Sequence, residues 1–234
     1  MKLQRLYSYT RKAIDDYNMI SEGDKVAIGV SGGKDSLALL YALSGLRNFY
    51  DKKFELCAIS VDLGLGIQGF DEITELCKML NVPLTIVPTE ISKIVFDIRR
   101  ESNPCALCSK LRKGALNNMA KELGCNKVAY AHHNDDIVET MMLSLIYEGR
   151  IHTFEPVTYL EKTELTVIRP MMYVSESEII GFKNKMQLPV AKNPCPADGY
   201  TKREYVKSLV RQINNENKGA KDRMFTAIKN NFNK

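Results

Sequence analysis

Ser31-Gly32-Gly33-Lys34-Asp35-Ser36 stands between an apolar, β-branched run at residues 25–30 and a helical run that begins Leu37-Ala38-Leu39-Leu40. Successive glycines let the chain turn tightly and bring its N–H groups close to an anion. The helix N-terminus behind them adds partial positive charge. The stretch therefore predicts a nucleotide-phosphate cradle at the carboxyl end of a strand. It is not a Walker A loop, because Ile28 takes the place of the first glycine and Asp35 follows Lys34 where Ser or Thr is required. The G-x-G-x-x-G dinucleotide fingerprint fails as well. A plain glycine turn capped by Asp35 accounts for part of the string but does not require all of it.

Working outward, strand-like runs at 25–30, 54–61, 84–87, 127–131 and 165–168 alternate with helical periods at 37–47, 70–80, 108–123, 137–147, 175–186 and 202–214. Such βα alternation predicts an α/β, doubly wound domain on a mainly five-stranded parallel sheet, whose ligands bind beyond the carboxyl ends of the strands. Further helices are expected at 2–17 and 220–231. This divides the chain into an N-terminal helix (1–23), a nucleotide- and metal-binding body (24–200) and a basic helical tail (201–234). No internal repeat or glycine/serine linker interrupts it.

The chain of 234 residues is 44% hydrophobic and 26% charged, a globular balance that removes disordered and fibrous readings. Its apolar runs are strand-sized, far short of the roughly 20 residues a bilayer span needs, so no membrane partner is expected. Lys2, Gln4, Arg5 and Arg11 fall in a helical pattern without the apolar core of a secretory signal, which predicts a cytoplasmic protein. Net charge is +5, and residues 201–234 hold nine Lys or Arg against Glu204, Glu216 and Asp222. That asymmetry reads as a polyanion-binding tail on a nearly neutral body, or as a solvated helix face.

Six cysteines in a cytoplasmic chain point to metal or reactivity rather than disulfides. Asn103-Pro104-Cys105-Ala106-Leu107-Cys108 and Asn193-Pro194-Cys195 read as two proline-stiffened loops that present sulfur. Arg99, Arg100, Lys110, Arg112 and Lys113 beside the first would favour thiolates. A closed zinc site needs four ligands, and the second loop offers one. Three cysteines suit a 4Fe-4S cluster with one iron open. A redox Cys-x-x-Cys and inert thiols are the alternatives. Cys57, Cys77 and Cys125 occupy ordinary core positions.

His132-His133-Asn134-Asp135-Asp136 follows the fourth strand and enters a helix, so it reaches the same sheet edge as the phosphate loop. Paired carboxylates there suit Mg²⁺ binding or proton transfer, while Asn134 or Asp135 would serve equally as a helix cap.

Residues 31–36 resemble the PP-loop of the ATP pyrophosphatases, S-G-G-x-D-S, which cleave ATP between the α and β phosphates and adenylate a substrate oxygen. The resemblance implies that Ser31, Gly32, Gly33, Lys34 and Ser36 grip pyrophosphate, that Asp35 holds Mg²⁺, and that Asp62 lies near adenosine. The run from Cys105 through Cys108 and Arg112 to Gly114, then residues 131–140 and Ile168-Arg169-Pro170, resembles the tRNA 2-thiocytidine synthetase family in order and spacing. That resemblance implies a 4Fe-4S cluster on Cys105, Cys108 and Cys195, and catalytic roles for Asp35, Asp135 and Arg112. It implies replacement of a cytidine O2 in tRNA by sulfur, supplied by a cysteine desulfurase or as inorganic sulfide, in a homodimer. Around the third ligand the chain departs from better-known members, with a single Cys195 followed by Pro196-Ala197-Asp198. Rival readings are a tRNA 2-thiouridine synthetase, a lysidine-synthetase-like adenylating enzyme, and a zinc-containing RNA-binding module without catalysis.

Overall fold

The computed structural model describes residues 3–66, 70–99, 104–191, 195 and 202–232. Its strands are β1 (Asp24–Gly29), β2 (Phe54–Asp62), β3 (Leu84–Pro88), β4 (Lys127–Ala129), β5 (Val157–Leu160) and β6 (Leu165–Ile168). The helices are α1 (Leu3–Asp16), α2 (Lys34–Leu46), α3 (Phe70–Met79), α4 (Pro104–Glu122), α5 (Asn134–Glu148), α6 (Glu176–Met186), α7 (Lys202–Glu216) and α8 (Ala220–Lys229), with a π-helical segment at Lys93–Arg99. The strands form one sheet in the order β3-β2-β1-β4-β6-β5. Every pairing is parallel except β5 with β6.

The sheet thus has six strands rather than five. The additional β5 is a half-exposed edge strand of four residues, joined to β6 by a turn in which Glu164 takes φ 54°. No glycine or proline marks that turn, so it carries none of the usual hairpin signal.

Alternation along β1 feeds two cores. Val26 and Ile28 join Leu37, Leu40 and Leu43 of α2, Leu6 and Ile14 of α1 and Phe182 of α6. Ala27 faces the other way, with Cys57, Ile59, Val128, the α4 residues Leu116 and Ala120, and Val95 of the π-helical segment. A central strand buried on both faces reads as a continuous apolar run, which is why 25–30 stood out in the sequence. Helix α1 lies close to α2, where a Cβ on Gly45 would collide with Tyr7. Val206 and Val210 of α7 enter the first core, so the basic C-terminal helices pack on the body.

Three helices start earlier than expected, among them α5, which opens at Asn134 rather than 137. Helix α2 takes in Lys34, Asp35 and Ser36, with Gly33 as its N-cap in extended conformation. Helix α4 opens at Pro104, whose missing N–H suits a first helical position, so Cys105, expected in a loop, is helical together with Cys108. Asn103, Asn193, Pro194 and Arg100, expected beside the thiols, lie outside the described residues.

The sheet order reverses between β1 and β4: β2 and β3 are added on one side of β1, and β4 and β6 on the other. Such a switch point opens a crevice at the carboxyl ends of the two strands.

Candidate active site

That crevice is a cleft of about 530 Å³. From the end of β1 it is lined by Ser31, Gly33, Asp35 and Ser36, from the end of β4 by Tyr130, Ala131, His132 and Asp136, and from α4 by Ser109, Arg112 and Lys113. Leu63 and Leu65 after β2, Phe154 and Arg203 also line it. The phosphate loop, the His-Asp segment and the second turn of the cysteine helix, read separately in the sequence, border one space.

The loop is held by its own hydroxyls. The Ser31 amide and hydroxyl lie 3.1 and 3.2 Å from the Ser36 oxygen, which donates to the Gly33 carbonyl at 2.9 Å. Gly32 turns at φ 78°, where a Cβ would stand 3.0 Å from Ala191 Cβ and 3.1 Å from Ile73 Cδ1, so both conformation and space select glycine. Asp35 Oδ2 takes a 3.0 Å bond from Lys34 Nζ, while Asp35 Oδ1 is buried without a hydrogen-bond donor. A carboxylate oxygen left unsatisfied within a phosphate cradle fits a hard divalent cation such as Mg²⁺. Lys34 does not line the cleft, and its ammonium also lies 3.3 Å from Glu176 Oε1. Asp62 accepts from the Gly64 amide at 2.9 Å and closes its own loop, leaving Leu63 and Leu65 to the cleft wall.

His133 is the N-cap of α5, in a reciprocal capping box with Asp136, and sits buried 3.7 Å from Asp35 Oδ1. His132 enters the cleft stacked on Phe154 at 4.1 Å. Its Nδ1 accepts from Arg169 Nε at 3.2 Å. A guanidinium only donates, so the proton of neutral His132 is on Nε2. Burial, and then Arg169, hold its pKa well below the usual imidazole value.

The two aspartates after it diverge. Asp136 lines the cleft. Asp135 turns away, accepting from the Glu176 amide at 2.7 Å and from Lys221 Nζ, on the wall of a second cavity of about 220 Å³.

Cations crowd the cleft. Burial lowers the Lys113 pKa, and Arg169, Arg112 and Arg203 lower it further. Burial brings Arg169 down to about 10. Mutually repelling cations around a phosphate loop make an anion pocket. Arg203 is fixed by the Thr140 hydroxyl at 2.9 Å and by Glu139 at 3.3 Å.

Cys105 and Cys108 lie one helical turn apart near the start of α4, Cys105 exposed and Cys108 half-buried. Burial raises the Cys108 thiol, Arg112 opposes this, and Cys195 and Cys105 each add to the rise, so the three sulfurs share one electrostatic neighbourhood. Among the described residues no three Cys, His, Asp or Glu side chains close on a point as a single ion requires. Three thiolates can hold three irons of a 4Fe-4S cluster and leave the fourth open, whereas a closed zinc site needs a fourth ligand, so the trio suits an iron–sulfur group. Cys57 and Cys125 are buried with their sulfurs 3.4 Å apart, and Cys77 is buried in the other core. Phe154, Tyr130 and Glu176 were not singled out by the sequence. Only Ile168-Arg169-Pro170 hinted at this side of the cleft.

A switch-point cleft carrying this glycine loop defines a PP-loop protein, and the PP-loop domain family matches residues 4–214. The tRNA-cytidine(32) 2-sulfurtransferase of Pelobacter propionicus is 37% identical over 231 residues, covering 97% of this chain and 86% of the relative. That of Syntrophotalea carbinolica is 38% identical over 213 residues, covering 90% and 82%. The chain belongs to the tRNA-cytidine(32) 2-sulfurtransferase family, a family of enzymes. Among solved structures, the U34-tRNA thiolase NcsA from Methanococcus maripaludis with its 4Fe-4S cluster has the same fold, with a TM-score of 0.80 at 24% identity over 98% of this chain and 78% of that one. An NH3-dependent NAD synthetase from Campylobacter jejuni shares the fold more distantly, with a TM-score of 0.56 at 15% identity over 100% and 94%.

Proposed function

We propose that the protein thiolates a cytidine of tRNA in two steps within this cleft. The base O2 attacks the α-phosphate of ATP and releases pyrophosphate. Sulfide-level sulfur then adds at C2 and AMP leaves with the former base oxygen. The sum is cytidine, ATP and sulfide in, and thiocytidine, AMP and pyrophosphate out, with no net redox change. The observation that carries this reading is the convergence of the phosphate loop and the cysteine helix on one cleft, with Ser31 and Asp35 on one wall and Ser109 and Arg112 on another.

The amides of Gly32 and Gly33 and the hydroxyls of Ser31 and Ser36 bind the leaving pyrophosphate at the helix N-terminus. Asp35, through its unsatisfied oxygen, is the residue for Mg²⁺, which would offset phosphate charge. Arg112, Lys113 and Arg203 oppose the negative charge that grows on the α-phosphate. Asp136, which faces the cleft, takes the acid–base position that the resemblance assigned to Asp135. His132, kept neutral, offers an Nε2–H donor without adding charge. Cys105, Cys108 and Cys195 are the residues to hold a 4Fe-4S cluster, which when bound supplies an open iron that carries the sulfur.

Anaerobically purified protein, incubated with tRNA, sulfide and α-labelled ATP, should yield AMP and 2-thiocytidine, read by nucleoside mass spectrometry. ADP and orthophosphate as main products, or a colourless zinc protein, would refute the reading.

A further inference from the structure

Glu176 is the first residue of α6, directly after the N-cap Ser175, with its side chain 14% exposed. Three cations converge on its carboxylate. Oε1 accepts from Lys207 Nζ of α7 at 2.7 Å and stands 3.3 Å from Lys34 Nζ of the phosphate loop, and Oε2 lies 3.7 Å from Arg211 of α7. One oxygen therefore serves two ammonium groups from different functional elements. Lys34 Nζ lies between this carboxylate and Asp35 Oδ2, 3.0 Å away, so a phosphate that recruits it must draw it from Glu176 as well as from Asp35. Lys207 competes for the same lone pairs and repels Lys34, so it loosens the hold. Lys207 and Arg211 also line the second cavity, of about 220 Å³, where a phosphate can reach them without entering the nucleotide cleft.

We propose that Glu176 is a positioning residue that shares Lys34 with the basic helix α7, so that anion capture at Lys207 and nucleotide binding at the phosphate loop oppose one another. An RNA phosphate that draws Lys207 off Glu176 tightens the grip on Lys34. A nucleotide that draws Lys34 off tightens the grip on Lys207. The exchange gives the site a means of handing the lysine back when pyrophosphate leaves. This inference rests on the ATP reading of the cleft.

The test measures binding of Mg²⁺·α,β-methylene-ATP to the full chain by calorimetry, without tRNA. Glu176→Gln, which keeps the backbone amide that holds Asp135, should lower Kd about two- to fivefold, the range of a partly exposed ion pair. Lys207→Met, in a residue that does not line the cleft, should raise Kd by a similar factor, and Lys207→Arg should restore it. In the double variant the effect of Lys207→Met should vanish, because the shared carboxylate is gone. A merely structural role would weaken binding in both single variants. Unchanged Kd values, or shifts of the same sign, overturn the proposal. Should Glu176→Gln fail to fold, shown by its melting curve, Lys207→Met and Lys207→Arg decide alone. If the unaltered protein does not bind the analogue, the ATP reading falls and this inference with it.

Discussion

Glu139 gives the sharpest physical test of how α7 is held on the body. Its carboxylate is buried on α5 and lies 3.3 Å from Arg203 Nε. Burial raises its pKa from an ordinary 4.5 to about 7, against the pull of Arg203. The folded chain therefore keeps a proton that the unfolded chain has lost throughout that window. Stability from this group is fully present below about pH 4.5, falls as the pH rises through 7, and levels off above. At about 1.4 kcal/mol per pKa unit, the gap sets an upper bound of about 3.5 kcal/mol. Glu139→Gln removes the titration and keeps an oxygen that can accept from Arg203. The variant should match the unaltered protein near pH 5 and exceed it near pH 8 by about 1–3 kcal/mol, read from urea midpoints at equal m-value. A difference that stays flat across this range, or a variant less stable near pH 8, would refute the burial argument and make the Arg203 pair the dominant effect.

Asp35→Asn should lower pyrophosphate release at least about a hundredfold, the scale of losing one preorganised charge contact, with an unchanged melting curve. Cys105→Ala, Cys108→Ala or Cys195→Ala should each lose iron and thiolation, whereas Cys57→Ala, Cys77→Ala and Cys125→Ala keep both at a stability cost of about 1–2 kcal/mol; full iron in Cys195→Ala would end the three-ligand proposal. Arg169→Met removes the guanidinium beside His132 Nδ1, and NMR titration should show the His132 pKa rising toward its ordinary value; no change would assign the depression to burial alone.

The fold was legible where backbone chemistry is local and periodic. Residues 25–30 announce a doubly buried strand, and Gly32 and Gly33 mark the turn after it, because φ 78° at Gly32 is a demand few other residues meet. The switch point followed from the order of strands and helices. The hairpin partner β5 was not legible, since four half-exposed residues and a turn through Glu164 carry neither apolar runs nor turn residues. Nor was the start of α4, because Asn-Pro favours an extended residue before proline and equally a proline in a first helical turn. Within the site, composition named the right chemical groups but not their directions. Asp135 and Asp136 are adjacent on a helix and differ by about 100° in facing, enough to send one to Lys221 and the other to the cleft.

The basic tail shows why charge counts and charge function part company. Residues 201–234 carry a positive excess larger than the net charge of the whole chain, yet Arg203 is engaged by Glu139 and Asp136, Lys207 and Arg211 by Glu176, and Lys221 by Asp135. Every one of these acids belongs to α5 or α6, so the cations fasten α7 and α8 to the wall of the nucleotide cleft. Lys202 stands 4.6 Å over the Tyr147 ring and Lys229 5.8 Å over Tyr173, contacts that leave an ammonium open to a second partner. A helix that both fastens itself through partly buried pairs and shows cations at its rim would link the binding of a polyanion to its own seating. Pulling Lys207 or Arg203 toward a phosphate weakens the contacts that hold α7, and the nearest structures to register that are the phosphate loop through Lys34 and the cleft through Asp136. Electrostatics would thereby join the two ends of the proposed reaction, the polyanion outside and the triphosphate inside, through carboxylates that hold the cations facing each.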